Sequence, residues 1–475
     1  MMRFTQENGL NTKKQNTMKT KMYLFLICLL TAIIGVQAHD FEALNEDGVP
    51  IYYNFSGDET SVVVTYGKKY YTWPYSGNVV IPESVMYNDQ FFNVTAIGDS
   101  AFYQCFDLTG VIIPNNVTTI GNYAFELCDK LNDITISNNV ITIGEYAFST
   151  CRSLTNVSLP ASVITIGDGA FNGCIKVTTV TIGENVAVIG SGAFDACISI
   201  TNIIIPENVI TIGIGAFINC LNLEEFIVSE QNRNYSTIDG VLFNKDQTVL
   251  IAYPNAKSPV YTIPDGVFTI GSCAFNNCDL TDISISSSVT TIEVLAFKGT
   301  KLSNIIIPNQ VTTIGDYAFG ACSKLKKVII PNSDISFGDR IFSWNVALEE
   351  IHNLSPIPQS IGSSSFTYVD KSSCKLFVPK GALSDYQAAD VWKEFKNIIE
   401  LNGMSVISVN KENISVFPIK GGISINCDEL TEVEIFSTTG QLVYQFTFRG
   451  YKKIPLGEGL YIVCINGENK KIMVK

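Results

Sequence analysis

Apolar residues recur along most of the chain at a nearly constant interval. The pattern I-G-x-x-A-F starts, at steps of 23 residues, at Ile97, Ile120, Ile143, Ile166, Ile189 and Ile212. It returns after 58 residues at Ile270, degenerates at Ile292 and recovers at Ile314, the last two steps being 22 residues. A repeat of this length is typical of proteins in which similar units stack along one axis. The sequence therefore predicts a solenoid.

Each repeat predicts one coil of that solenoid, as residues 108–128 (LTGVIIPNNVTTIGNYAFELC) illustrate. The alternation L-x-x-V-x-I places apolar side chains on one side of a short strand and polar ones on the other. A following proline, such as Pro114, removes a backbone donor and ends the strand, and the glycine of I-G permits a sharp bend. One such unit cannot bury its apolar side alone, whereas stacked units can. We predict a β-rich fold of short strands in coils of 22–23 residues.

The N-terminus has the features of a leader and secretory signal peptide, residues 1–38. Lys19 and Lys21 supply positive charge before the apolar stretch 22–34, and Val36-Gln37-Ala38 has the small residues that precede a cleavage site. We expect cleavage after Ala38. The apolar stretch is too short for a stable anchor, and no later stretch reaches about 18 uninterrupted apolar residues. The mature chain is therefore expected to be exported and to contain no transmembrane segment.

Changes in pattern divide the rest of the chain. The 58-residue step exceeds one repeat by 35 residues, which predicts an insertion carrying a two-stranded protrusion from 238–243 and 248–253. It is either a decorated coil or a dedicated binding loop. Ser384 is the predicted N-cap of a closing helix. The predicted segments are an N-terminal β cap (39–93), the solenoid (94–373, insertion near 230–260), a C-terminal cap with a helix (374–400), a linker (401–413) and a small β-sandwich (414–475).

Charge and histidine content narrow the possible functions. The formal net charge is −13, with 32 Lys and Arg against 45 Asp and Glu, so a nucleic-acid partner is not expected. Only two histidines occur, His39 at the edge of the signal segment and His352, which is predicted to lie at the surface. This count disfavours catalytic triads and zinc sites. We predict no catalytic, cofactor-binding or metal-binding residues and no catalysis.

Eight of the 13 cysteines stand three residues after the phenylalanine of a repeat. One cysteine per coil at a fixed position predicts a column of buried free thiols, because free cysteine behaves as a small hydrophobic residue. Cys273 lies outside this column, and its pairing with Cys278 is the one disulfide that the sequence suggests. The predicted column is Cys105, Cys128, Cys151, Cys174, Cys197, Cys220, Cys278 and Cys322.

The repeat resembles the 23-residue leucine-rich repeat of the BspA-like family of bacterial surface proteins. The likeness lies in the period, in the I-P corner and in the I-G-x-x-A-F-x-x-C half, and it covers roughly residues 94–400. Residues 41–92, with the aromatic runs Ile51-Tyr52-Tyr53 and Tyr70-Tyr71, resemble the N-terminal segment of that family. The resemblance implies a leucine-rich-repeat solenoid at the cell surface and a role in adhesion.

The C-terminal region resembles the type A sorting domain of the Bacteroidetes type IX secretion system. The resemblance rests on segments 433–436, 440–443, 459–463 and 470–475. It implies passage across the outer membrane of a Gram-negative bacterium and attachment to its surface. The opening motif of that family, Y-P-N-P, is reduced here to Phe417-Pro418. A retained accessory β-domain without a role in secretion is the alternative.

The outward side chains of the predicted strands are the candidate binding site. They form a long, mildly polar row that can hold an extended protein through many small contacts, although a solvated sheet face has the same pattern. We expect binding of extracellular, host or neighbouring-cell proteins. A surface glycan-binding or nutrient-capture module is the alternative, and a carboxylate-based hydrolase is a remote one without a supporting motif. The predicted face comprises Asp133, Thr135, Asn156, Ser158, Thr179, Thr181, Asn202 and Ile204.

Overall fold

The computed structural model describes most of the chain outside the N-terminal segment. The predicted signal peptide with its cleavage site at Ala38, the Tyr70-Tyr71 run, Trp73 and most of the predicted linker lie outside the described residues. The described residues are 39–58, 60–67, 75–331, 334–401, 407–408, 414–419, 421–437, 442–457, 459–465 and 468–474.

A small sheet precedes the first complete coil. Strands β1, β2 and β3 pair antiparallel, and β3 pairs in parallel with β6. Strand β6 then pairs with the first coil, so the sheet covers an edge that an open solenoid would expose. The strands are β1 (Phe41–Leu44), β2 (Pro50–Phe55), β3 (Ser61–Thr65), β4 (Gly77–Val80), β5 (Ser84–Tyr87) and β6 (Gln90–Ile97).

Each repeat contributes one strand to each of two sides of the solenoid. In residues 108–228 the odd-numbered strands come from L-x-x-V-x-I and are called the front strands. The even-numbered strands precede I-G and form the back ladder. They are β7 (Leu108–Ile112), β8 (Thr119–Ile120), β9 (Asp133–Thr135), β10 (Thr142–Ile143), β11 (Asn156–Ser158), β12 (Thr165–Ile166), β13 (Thr179–Thr181), β14 (Val188–Ile189), β15 (Asn202–Ile205), β16 (Thr211–Ile212) and β17 (Glu225–Val228).

The same arrangement resumes after the insertion. Parallel pairing between successive coils on both sides confirms the predicted solenoid of short stacked strands. The strands are β18 (Tyr235–Ile238), β19 (Val241–Asn244), β20 (Val249–Ala252), β21 (Val260–Thr262), β22 (Thr269–Ile270), β23 (Asp282–Ser284), β24 (Thr291–Ile292), β25 (Asn304–Ile306), β26 (Thr313–Ile314), β27 (Lys327–Ile330), β28 (Ser336–Phe337), β29 (Glu350–Asn353), β30 (Lys375–Val378) and β31 (Asn397–Glu400).

The core consists of columns of identical side chains. Pairing in register, for example of Ile143 with Ile166, superimposes the same repeat position in successive coils. The phenylalanines consequently stack with nearly parallel rings, from Phe102 and Phe125 with centroids 4.8 Å apart to Phe194 and Phe217 at 5.8 Å. Stacked, fully buried rings contribute packing beyond their apolar area.

The insertion divides the solenoid into two blocks. The back ladder of the first block ends at β16, and a second ladder begins with the antiparallel strands β18, β19 and β20. Strand β20 pairs in parallel with β22 and so forms part of the ladder, whereas the sequence placed it in a protrusion. The phenylalanine column also restarts, with Tyr253 against Phe275. Two separate clusters of buried apolar residues result.

The second block ends in a short helix, α1 (Leu383–Ala388), and a 3-10 turn (Trp392–Glu394). Tyr386, Trp392 and Phe395 are buried against the last coils, as expected of a cap. The predicted N-cap was wrong, because Ala382 occupies that position and Ser384 lies inside the helix.

The described part of the C-terminal region forms one antiparallel sheet. The long strands β34 and β35 make most of its pairs, and a sandwich of two sheets remains a prediction. The strands are β32 (Ile407–Ser408), β33 (Ile414–Ile419), β34 (Gly422–Ser437), β35 (Leu442–Pro455), β36 (Gly459–Ile465) and β37 (Glu468–Val474).

Candidate functional site

The front strands carry the eight side chains of the predicted binding face. All eight are exposed, while the residues between them on β11, β13 and β15 (Val157, Val180 and Ile203) are buried. This alternation follows from the pleat of a strand. Pairing in register places Asn156 beside Thr179 and Ser158 beside Thr181. The side chains therefore form two continuous rows along the first block.

The face ends differently on its two sides. At the end of the first block, Ile204 and Ile227 lie side by side on β15 and β17 and are 52% and 43% exposed. The sequence also predicted exposed isoleucine at the far end of the row, but Ile329 is only 5% exposed. Between these ends, Lys453 of the C-terminal sheet forms an ion pair with Asp282 on β23. The open part of the face is therefore the first block.

The column of cysteines lies in the core. The described cysteines are free, and the eight in the column are buried, as predicted. Each thiol from Cys128 to Cys220 donates to a phenylalanine carbonyl of the preceding coil, as Cys151 does to Phe125 at 3.2 Å. Burial raises the pKa of Cys174 to about 12, so these thiols are held in their unreactive, protonated form. The suggested Cys273–Cys278 disulfide was wrong, since both thiols are free.

His352 is not the surface residue that the sequence predicted. Its side chain is only 18% exposed, stacks on Phe377 with centroids 4.5 Å apart and bonds through Nε2 to the Glu350 carboxylate at 3.0 Å. Desolvation lowers the pKa of His352 and so favours the neutral ring. The hydrogen bond from His352 holds the pKa of Glu350 at about 2. Parallel pairing of β29 with β30 brings Phe377 over the histidine.

Exposed aromatic pairs are a feature that sequence reasoning missed. Tyr123 and Tyr146 stack with centroids 5.5 Å apart and planes within 3°, and Trp344 lies 3.9 Å from Tyr368. All four side chains are at least partly exposed and lie outside the front strands. The signal was available, because a 23- or 24-residue separation places both members of a pair in adjacent coils.

Two further searches of the described residues bear on function. No group of three or more His, Cys, Asp and Glu side chains there could hold a metal ion. Within the same residues, no helix has both the length and the apolar character needed to cross a bilayer.

The repeats place the protein in a known family. The description "BspA type Leucine rich repeat region" matches residues 95–224 and 251–373 in six copies, which is more than half of the chain. The chain therefore belongs to the BspA-type leucine-rich-repeat family, a class of repeat proteins. The interval between the two matched ranges coincides with the insertion. No curated protein matches the chain.

Solved structures show the same fold. The pneumococcal vaccine antigen PcpA is 21% identical with a TM-score of 0.61, covering 76% of this chain and 99% of its own. A leucine-rich cell surface protein of Faecalibacterium prausnitzii is 27% identical with a TM-score of 0.49, covering 66% and 94% respectively. A leucine-rich repeat protein of Eubacterium ventriosum is 24% identical with a TM-score of 0.48, covering 70% and 86%.

Proposed function

We propose that the protein is an exported cell-surface protein that binds extracellular proteins of a host or neighbouring cell through the front face of its first block, without catalysis. One observation carries the proposal: eight predicted side chains are exposed in register on a rigid scaffold and lead to a pair of exposed isoleucines, Ile204 and Ile227. Membership of the BspA-type family supports the surface location.

The chemistry of this face suits an extended protein partner. Successive strands lie about 4.8 Å apart, so Asn, Thr and Ser side chains recur at the spacing of a paired strand. These side chains donate and accept hydrogen bonds, while the exposed isoleucines offer apolar area that is desolvated on contact. Many weak contacts over several coils are typical of binding by repeat proteins.

The proposal is tested with a variant that combines Thr181→Arg and Ile204→Asp. We expect at least a tenfold loss of saturable binding to the one surface that the wild-type protein recognises among immobilised fibronectin, laminin, collagen and intact bacterial cells. Ile164→Asp is the matched control, because Ile164 is 46% exposed but lies beside the back ladder. Absence of saturable binding by the wild type, or equal losses in both variants, would contradict the proposal.

The exposed aromatic pairs favour glycan binding as the second candidate function. Flat aromatic faces beside polar groups suit the apolar face of a sugar ring, and Trp344 with Tyr368 offers such a surface. A glycan array probed with wild type and with Trp344→Ala tests this function. Retained binding in the variant would argue against this pair as the site.

For the C-terminal region we propose the role of a type IX sorting domain. Support comes from its resemblance to that domain and from its separate antiparallel sheet. Intact-mass analysis and protease shaving of producing cells test the proposal. We expect a surface-exposed form that starts near His39 and lacks about 60 C-terminal residues; a full-length form confined to the periplasm would contradict both sorting and surface display.

A further inference from the structure

Hydrogen bonding between coils is interrupted at the boundary of the two blocks, between half-coils 212–220 and 270–278. Elsewhere, each I-G-x-x-A-F half-coil donates alternate backbone N–H groups to the next coil. The donors Tyr146, Phe148 and Thr150, for example, lie 2.6–2.8 Å from carbonyl oxygens of the following coil. The boundary has a different arrangement.

The last half-coil of the first block lacks a following partner. The N–H groups of Gly215, Phe217 and Asn219 occupy the donating positions and have no hydrogen-bond partner among the described residues. On the opposite wall, within the same part of the chain, the Ser272 carbonyl is also unpaired and that of Asn276 meets only a thiol at 3.9 Å. Two walls of the cleft therefore present unpaired backbone donors and acceptors at alternate residues, as the edges of a sheet do.

An apolar cavity of about 190 Å³ lies between these walls. Its lining includes Phe217, Ile218, Ile251, Ala252 and Tyr253. Pockets for drug-sized ligands typically enclose about 300–1,000 Å³. The cavity is therefore of the size expected to take one large side chain.

The residues at the lip differ from those of other coils in a way that suits an apolar ligand. At Ile214 the repeat elsewhere has a polar residue whose oxygen can accept the N–H of the next coil, as Asp168 does from Ser191 at 2.7 Å. The Ile214 side chain is instead 63% exposed. Ile218 similarly occupies the position of Asp195 in the preceding coil. The equivalent polar residues at the first position are Asp99, Asn122, Glu145, Asp168 and Ser191.

The two walls are held together at one end of the cleft. The Asn277 side-chain amide donates to Asn219 Oδ1 at 2.8 Å, and the Asn219 amide donates to Asp195 at 2.8 Å. This chain of hydrogen bonds fixes the separation of the walls in the unliganded protein. A preformed cleft loses less conformational entropy on binding than a mobile one.

We propose that this cleft binds an extended segment of another polypeptide. The segment pairs its carbonyl groups with the N–H groups of Gly215, Phe217 and Asn219, and one large apolar side chain enters the cavity. Main-chain pairing supplies affinity and the side-chain pocket supplies specificity, as in strand addition to a sheet edge. The site is distinct from the front face and does not depend on the function proposed for it.

The experiment uses the full chain and an acetylated, amidated heptapeptide, GSGAFDA, which copies residues 190–196 of a regular half-coil. We expect saturable binding in titration calorimetry, at least tenfold weaker for the peptide with alanine in place of phenylalanine and for Ile214→Asp protein. Ile164→Asp and Ile204→Asp proteins, changed at exposed positions away from the cleft, should bind like wild type.

Hydrogen exchange on the same complex locates the peptide. The amides of Gly215, Phe217 and Asn219 should become protected on binding. No saturable binding at millimolar peptide, equal affinity of wild-type and Ile214→Asp proteins, or protection confined to other coils would each overturn the proposal.

Discussion

Phe171 shows what a single residue contributes to this fold. Its ring lies between those of Phe148 and Phe194, with centroids 5.2 and 5.4 Å away, and is almost fully buried. The sequence predicted this packing because the same residue recurs at the same position. By contrast, the burial of His352 could not be predicted, since it depends on Phe377 in a coil without a clear repeat.

Replacement of Phe171 by alanine should be strongly destabilising. The change leaves a cavity between two rings that remain in place, and we expect the free energy of unfolding of the first block to fall by about 3–5 kcal/mol. Chemical denaturation measures this loss. Tyr146→Ala is the control, because it removes a stacked but partly exposed ring and should cost less than about 1 kcal/mol. Similar losses in both variants would show that ring stacking is not specific to the core.

The Glu350–His352 pair predicts a pH dependence of stability. The pKa of Glu350 is lowered from its ordinary value of 4.5 to about 2, so its contribution to stability is present above pH 4.5 and is lost as the pH falls towards 2. We expect Glu350→Gln to reduce the free energy of unfolding by about 1 kcal/mol at pH 7, since a partly exposed carboxylate is screened.

Denaturation of wild type and Glu350→Gln between pH 7 and pH 3 checks this expectation, and the difference between the two proteins should shrink as the pH falls. Glu349→Gln is the control, because Glu349 pairs with Lys326 at the surface. A difference that stays constant with pH would refute the assignment.

Within the element that forms one coil, the I-G glycine is set by close approach of the neighbouring backbone. A Cβ on Gly167 would lie 2.6 Å from the carbonyl carbon of Gly144. The sequence predicted the bend, but this contact only becomes evident once coils are stacked. The insertion shows a similar limit: its length located it, whereas the pairing of β20 with β22 depends on which strand completes the ladder.

We predict that Gly167→Ala destabilises the first block by about 1–3 kcal/mol, because the added methyl group meets backbone that cannot rotate away. Thermal or urea denaturation measures the change. Gly57→Ala is the matched control, since a Cβ there meets no atom within 4 Å and the backbone needs no positive φ. Equal stability of the Gly167→Ala and Gly57→Ala proteins would contradict the close approach.

The whole molecule consists of two stacked arrays joined at the insertion. Each array has its own column of aromatic rings and its own cluster of buried residues. In repeat proteins, stability is approximately the sum of terms within repeats and between neighbours, so a weak interface divides the chain into cooperative units. The position of this division was predictable from the 58-residue step, whereas the cleft depends on which backbone groups remain unpaired.

Two separable unfolding units are therefore expected. Phe171→Ala should increase hydrogen exchange throughout the first block, up to about residue 228, and leave the second block unchanged. Phe319→Ala, which interrupts the ring column of the second block, should do the reverse. Mass spectrometry of the exchanging protein follows both blocks at once. Loss of protection across the whole chain in either variant would show that the boundary transmits stability.

The interrupted back ladder also has a mechanical consequence. A protein fixed at one end and bound near the other carries tension along its length, and each intact pair of coils resists that tension with hydrogen bonds on both sides. At the boundary β16 has no following rung and three backbone donors of the next half-coil are unpaired within the described structure. We expect this joint to yield first under load. The 35 inserted residues would then extend while both arrays stay intact, so the molecule would lengthen before it unfolds.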